Sequence, residues 1–159
     1  YHFQLLNSVI EVNELQKRRV VSKLTKHLGP LVGKRIALLG LAFKPDTDDV
    51  REAPAIVMAK RLLEAGFAVR AFDPEAGATG GAELARYPGF SLASSTATAI
   101  TGADALLIAT EWKLFREVPV AEIARLLRQP IVYDGRSVLD AGEARAAGLE
   151  YHAFGREHG

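Results

Sequence analysis

Arg35-Ile-Ala-Leu-Leu39 runs directly into Gly40-Leu-Ala-Phe-Lys-Pro-Asp-Thr-Asp-Asp49, and the reading of that junction decides the fold. The first five residues form a short apolar run without alternation, the signature of a strand buried on both faces. Gly40–Asp49 reads as a loop of turn formers and charges. The same kind of apolar run recurs at Ala68–Phe72, Ala105–Ala109 and Ile131–Tyr133, with weaker candidates at Ser91–Ala93 and Glu150–Ala153. Helical segments separate them. Pro54–Ala65 has Pro in its first turn and Gly66 at its end, the expected asymmetry of a helix. Gly81–Arg86, Thr96–Thr101, Val120–Leu127 and Ala141–Ala147 read as shorter helices. Strand-helix alternation of this kind predicts an α/β fold with a doubly wound, mostly parallel sheet and right-handed crossovers.

Upstream of the junction, Phe3–Leu28 contains no Pro or Gly and is followed by Gly29-Pro30, so it reads as one long N-terminal helix. The expected organisation is therefore a helix over residues 1–29 and a sheet domain over residues 30–159. The front of the helix is broadly apolar (Phe3, Leu5, Leu6, Val9, Ile10 and Val12), and the rear keeps a narrower stripe at Val20, Val21, Leu24 and Leu28. A helix packed on its own domain needs only one stripe. The wider front marks either a partner surface or a helix end tucked into the core. The chain opens inside this helical pattern, as a fragment would, and 155–159 read as a frayed tail.

The 159 residues suit one globular domain, with 48% hydrophobic and 25% charged residues. Twenty Lys and Arg against nineteen Asp and Glu give a net charge of +1. That balance argues against a nucleic-acid or membrane-surface protein, which would carry a basic excess. No apolar run reaches spanning length, and the mean hydropathy is only +0.06. Cysteine is absent, which removes disulfides, thiolate metal sites and cysteine nucleophiles from this chain and is compatible with a reducing compartment.

In open α/β sheets, ligands sit beyond the carboxyl ends of the strands. The segments at such ends are Leu41–Ala53, Asp73-Pro74, Thr110-Glu111-Trp112 and Asp134-Gly135-Arg136. A dinucleotide-binding loop needs G-x-G-x-x-G so that backbone amides reach the pyrophosphate. This loop has only Gly40 and then side chains. Lys44 would meet a phosphate as a point charge, and Phe43 would stack on a flat ring; the plainer alternative has Phe43 in the core and Lys44 as a solvated charge. Asp46, Asp48 and Asp49 match no calcium-loop spacing and read as turn formers, helix caps or a partner for Arg51, with no metal site assigned. Asp73 sits where a ribose-binding acid would stand, but without the glycines it reads as a turn. Trp112 is a pocket wall or core. Arg136 leaves a tight turn, aimed into the cleft or at solvent. The four histidines make no helix-spaced pair.

Leu39–Asp49, LGLAFKPDTDD, continuing as VREAPA to Ala55, closely resembles the carboxy-terminal domain of the UDP-glucose 6-dehydrogenase family. Gln4–Lys17, AFDPEA, Thr110–Phe115, Val132–Asp140 and Tyr151–Arg156 also look like family motifs in the family's order. The resemblance implies a Rossmann-like UDP-sugar-binding domain and a first helix that forms a homodimer. It implies a full-length, cytoplasmic, NAD-dependent enzyme that oxidises UDP-glucose to UDP-glucuronate in two hydride transfers. The NAD domain and the catalytic cysteine would lie upstream of Tyr1, so no catalytic residue is expected in this chain, which alone would be inactive. Phe43, Lys44 and Arg136 match substrate-contacting positions, and Arg51 matches the arginine that approaches NAD held by the other domain. Asp73, Glu111 and Trp112 match family positions with no ligand contact assigned. Related UDP-N-acetylmannosamine and GDP-mannose dehydrogenases share the architecture and remain alternatives. So do a non-catalytic dimerisation module and a true NAD-binding domain.

Overall fold

The computed structural model describes residues 19, 21–26, 34–42, 44–51 and 53–153. Among the described residues, six strands, β1 (Arg35–Leu39), β2 (Ala68–Phe72), β3 (Phe90–Leu92), β4 (Ala105–Ile108), β5 (Ile131–Asp134) and β6 (Glu150–Ala153), form one sheet in the order β3-β2-β1-β4-β5-β6. Every neighbouring pair is parallel. Among the described residues, six helices follow β1: α1 (Pro54–Glu64), α2 (Gly77–Leu84), α3 (Thr96–Ile100), α4 (Lys113–Arg116), α5 (Val120–Leu126) and α6 (Ala141–Ala146). The doubly wound α/β expectation is met.

The lack of alternation in β1 comes from two separate cores. Ile36 and Leu38 pack with Met58, Leu62 and Leu84 of α1 and α2. Ala37 and Leu39 face the other way, onto a cluster with Ile100, Ile123 and Leu127. Successive side chains on a strand point to opposite faces, so a strand covered on both sides must be apolar throughout. The chain winds outward from β1 through β2 to β3, then crosses to β4 on the other side of β1. Strand order thus reverses between β1 and β4, the position at which α/β sheets open a crevice.

The first-helix expectation is covered only in its rear part. Residues 19 and 21–26 are helical. Leu24 is buried and Val21 packs beside it against the first core. The apolar front of that helix, the Gly29-Pro30 stop and the frayed tail at 155–159 lie outside the described residues.

Two helices differ from expectation for local reasons. α2 begins at Gly77 rather than Gly81. Its glycines obscure any apolar period, and Gly80 is small because an added Cβ would come 2.8 Å from the Leu41 side chain. α4 is a single turn, too short to show periodicity.

Candidate functional site

The carboxyl ends of β1, β4 and β5 stand side by side, and each releases a loop into the crevice. The backbone ties these exits together. Gly40 N–H donates to Phe72 O at 2.9 Å, Ala109 N–H to Leu39 O at 2.9 Å, and Gly135 N–H to Ile108 O at 2.8 Å. Gly40 has φ +99, and a Cβ there would stand 2.3 Å from Thr110 Oγ1. Only glycine permits both the conformation and the approach. The Thr110 hydroxyl in turn donates to Ala42 O at 2.9 Å.

Asp73, at the end of β2, is the anchor of the first loop. It is 5% exposed. One carboxylate oxygen accepts from Leu41 N–H (2.8 Å), Ala42 N–H (3.0 Å) and the Trp112 indole N–H (3.2 Å). The other accepts from Glu75 N–H (2.9 Å) and Ala76 N–H (2.7 Å). Five N–H donors fill the carboxylate's acceptor capacity. The Asp73 carboxylate has therefore turned inward, and the first two loop amides are committed to it. The turn read at Asp73-Pro74 is present, and Trp112, left open between wall and core, is buried at 7% exposure in the second core.

Beyond Ala42 the loop carries Lys44, whose side chain is exposed. Phe43 lies outside the described residues. Asp46 takes φ 65, a left-handed conformation that aspartate tolerates better than most residues. Asp49 accepts a two-pronged grip from Arg51, with Nε at 3.1 Å and Nη2 at 3.0 Å. Those side-chain hydrogen bonds, then the Arg51 backbone N–H, hold the Asp49 carboxyl down at about 2; Lys44's charge acts in the same direction. The loop aspartate thus serves as a partner for Arg51. Among the described residues, no group of three or more metal-ligating side chains forms.

The loop after β5 hangs on a second buried carboxylate. Asp134 is fully buried. It accepts from Arg136 N–H (3.0 Å), Leu139 N–H (2.9 Å) and the Tyr151 hydroxyl (2.7 Å). Burial, and next the Asp134 carboxylate, push the Tyr151 hydroxyl well above the usual tyrosine range. Ser137 takes φ 53 inside this loop. Arg136 itself is half-buried.

Lys44 and Arg136 therefore leave loops rooted on β1 and β5, with β4 between them. Two strand spacings separate those roots, roughly 10 Å. Arg51 stands apart, at the entry to α1. It lines an open depression of about 190 Å³ with Val50, Ala53, Ile56, Val57, Lys60 and Glu83. Sequence reasoning found the cationic residues but not their supports. The clue to Asp73 and Asp134 was an acid directly ending an apolar strand, which reads equally well as a turn.

Residues 37–141 match the model of the UDP-glucose/GDP-mannose dehydrogenase family, UDP binding domain. The chain belongs to that family. It is 41% identical over 157 residues to the UDP-glucose 6-dehydrogenase YwqF of Bacillus subtilis (strain 168), covering 99% of this chain and 35% of that protein. A solved UDP-glucose dehydrogenase from the hyperthermophilic archaeon Pyrobaculum islandicum superposes with a TM-score of 0.76 at 34% identity, over 92% of this chain and 31% of that one. A UDP-D-ManNAc dehydrogenase from Pyrococcus horikoshii gives 0.65 at 26% identity, over 88% and 30% of the two chains. The chain spans about a third of the length of the curated relatives it matches. Among the described residues, no helix is long and apolar enough to cross a membrane.

Proposed function

We propose that this domain holds the nucleotide end of a UDP-sugar in a cytoplasmic, NAD-dependent dehydrogenase that converts UDP-glucose to UDP-glucuronate. The observation that carries the reading is the commitment of the Leu41 and Ala42 amides to Asp73 inside a family UDP-binding domain. Those two amides point at a buried carboxylate and cannot cradle a phosphate, which supports assigning the diphosphate charge to side chains. Lys44 supplies a point charge, and Arg136 supplies a planar fork suited to phosphate oxygens. Phe43 offers a face for stacking.

The carboxyl-end loop does not fit a dinucleotide. It has one glycine where three are needed, and its ribose-position acid is turned inward. NAD is accordingly assigned to a domain outside this chain, with Arg51 approaching it from the α1 entry. No residue of this chain is assigned a chemical step; its work is to bind and orient the sugar nucleotide. Residues 1–29 are assigned to a helix that forms a homodimer, and residues 30–159 to the UDP-sugar domain. Neighbours that share the fold include the UDP-D-ManNAc dehydrogenase, so the sugar is tested by comparing UDP-glucose with UDP-N-acetylmannosamine.

The test of the site is Lys44→Ala in a full-length dehydrogenase carrying this domain. A hydrogen bond to a charged group contributes about 1.5–3 kcal/mol, so UDP should bind roughly ten- to hundredfold more weakly by calorimetry. Unchanged affinity would remove Lys44 from the site.

A further inference from the structure

We propose that Asp73 is a positioning residue for UDP-sugar binding: its buried carboxylate sets the backbone of the β1 loop so that Lys44 is presented to the diphosphate. The proposal rests on the UDP-site reading and deepens it. Asp73 itself touches no ligand. Its two oxygens join the segments that frame the crevice. One holds Leu41 and Ala42, the latter two residues before Lys44, together with the Trp112 indole of the β4 loop. The other starts the turn into α2 through Glu75 and Ala76. The same oxygen that fixes the first loop thus fixes its distance from the β4 loop. Thr110 adds a second tie between those loops at Ala42 O. In sequence, a single residue separates the held Ala42 from Lys44.

The arrangement also has a consequence for selectivity. A carboxylate saturated by five N–H groups has no acceptor capacity left for a ribose hydroxyl. Filling the position from within leaves the unit unable to use it as a dinucleotide domain would.

Asparagine at position 73 keeps the size but puts an NH₂ against N–H donors, so one side of the network must break. Asp104, a buried carboxylate at the opposite end of the sheet, is the control. In a full-length dehydrogenase carrying this domain, Asp73→Asn is expected to weaken UDP about tenfold or more and to raise KM for the UDP-sugar, leaving KM for NAD within about twofold. Asp104→Asn is expected to lower the unfolding temperature while leaving UDP affinity unchanged.

A double-mutant cycle separates positioning from general destabilisation. If Asp73 acts through Lys44, the effect of Asp73→Asn on UDP affinity should largely vanish in a Lys44→Ala background. Should Asp73→Asn fail to fold, Trp112→Phe deletes one donor from the same oxygen and should give a smaller, equally coupled loss. Additive effects in the cycle, or equal losses for the Asp73 and Asp104 variants, would overturn the proposal and leave the UDP reading intact. Failure of the wild-type protein to bind UDP would overturn both.

Discussion

The two ends of the sheet use the same residue type for different work. At the carboxyl end, Asp73 and Asp134 are buried and each supports a loop that carries a cation. At the amino end, Asp104 is also buried, but its partners are structural: Arg35 N–H at 2.9 Å and Gln129 Nε2 at 3.2 Å, with Arg128 Nε at 3.8 Å. Asp104 fastens the start of β1 to the turn before β5. Burial and hydrogen bonding alone therefore do not mark a functional acid. Position on the sheet decides, because loops leaving the carboxyl end converge where strand order reverses.

The largest contrast between the ends should come from glycine. Gly40→Ala would place a methyl 2.3 Å from Thr110 Oγ1 and 2.7 Å from Thr110 N at φ +99, whereas Gly102→Ala at the amino end meets only the Arg35 guanidinium at 3.9 Å at φ +73. The second change should cost about 1–2 kcal/mol of backbone strain in chemical denaturation, and the first should cost that plus a steric term large enough to prevent folding. Equal costs would erase the contrast.

Next in size are the acids. Asp134→Ala and Asp104→Ala each strand buried donors, at about 1–3 kcal/mol per unpaired group. Both should unfold at lower denaturant concentration, but only Asp134→Ala should also weaken UDP in calorimetry, by releasing the Arg136 loop. Arg136→Ala should reproduce that binding loss with a smaller loss of stability.

The smallest effect belongs to Asp49. Its folded carboxyl value lies below its ordinary 3.8, at about 2. The attraction to Arg51 is then fully present above the ordinary value and lost as pH falls through about 2. Carboxyl ¹³C titration should find a midpoint near 2 in the wild type and a higher one after Arg51→Ala, still held down by the residue 51 backbone N–H and by Lys44. A midpoint that stays put would show that Arg51 is not the cause.

Much of this contrast is legible in the sequence. β1 and β2 run over Arg35–Leu39 and Ala68–Phe72, the same residues that the apolar runs mark, and β6 covers the weaker candidate Glu150–Ala153. In β1, burial on both faces leaves a continuous apolar signal. Lys44 and Arg136 are visible because they interrupt loops at strand ends. Their placement on either side of β4 is not, since that depends on the strand order, which apolar runs do not encode. Asp73 is hidden for a different reason. Four of its five donors are backbone amides, and an amide has the same identity at every residue except proline. The glycine-rich start of α2 and the single turn of α4 escape because neither is long enough, or apolar enough, to show a helical period.

A crystal structure of a full-length dehydrogenase carrying this domain, with UDP bound, would decide how the diphosphate is held. Lys44 Nζ and the Arg136 guanidinium should lie within hydrogen-bond distance of the diphosphate while Leu41 and Ala42 N–H remain on Asp73. Diphosphate oxygens seated on those two amides, with Lys44 and Arg136 turned to solvent, would contradict side-chain capture.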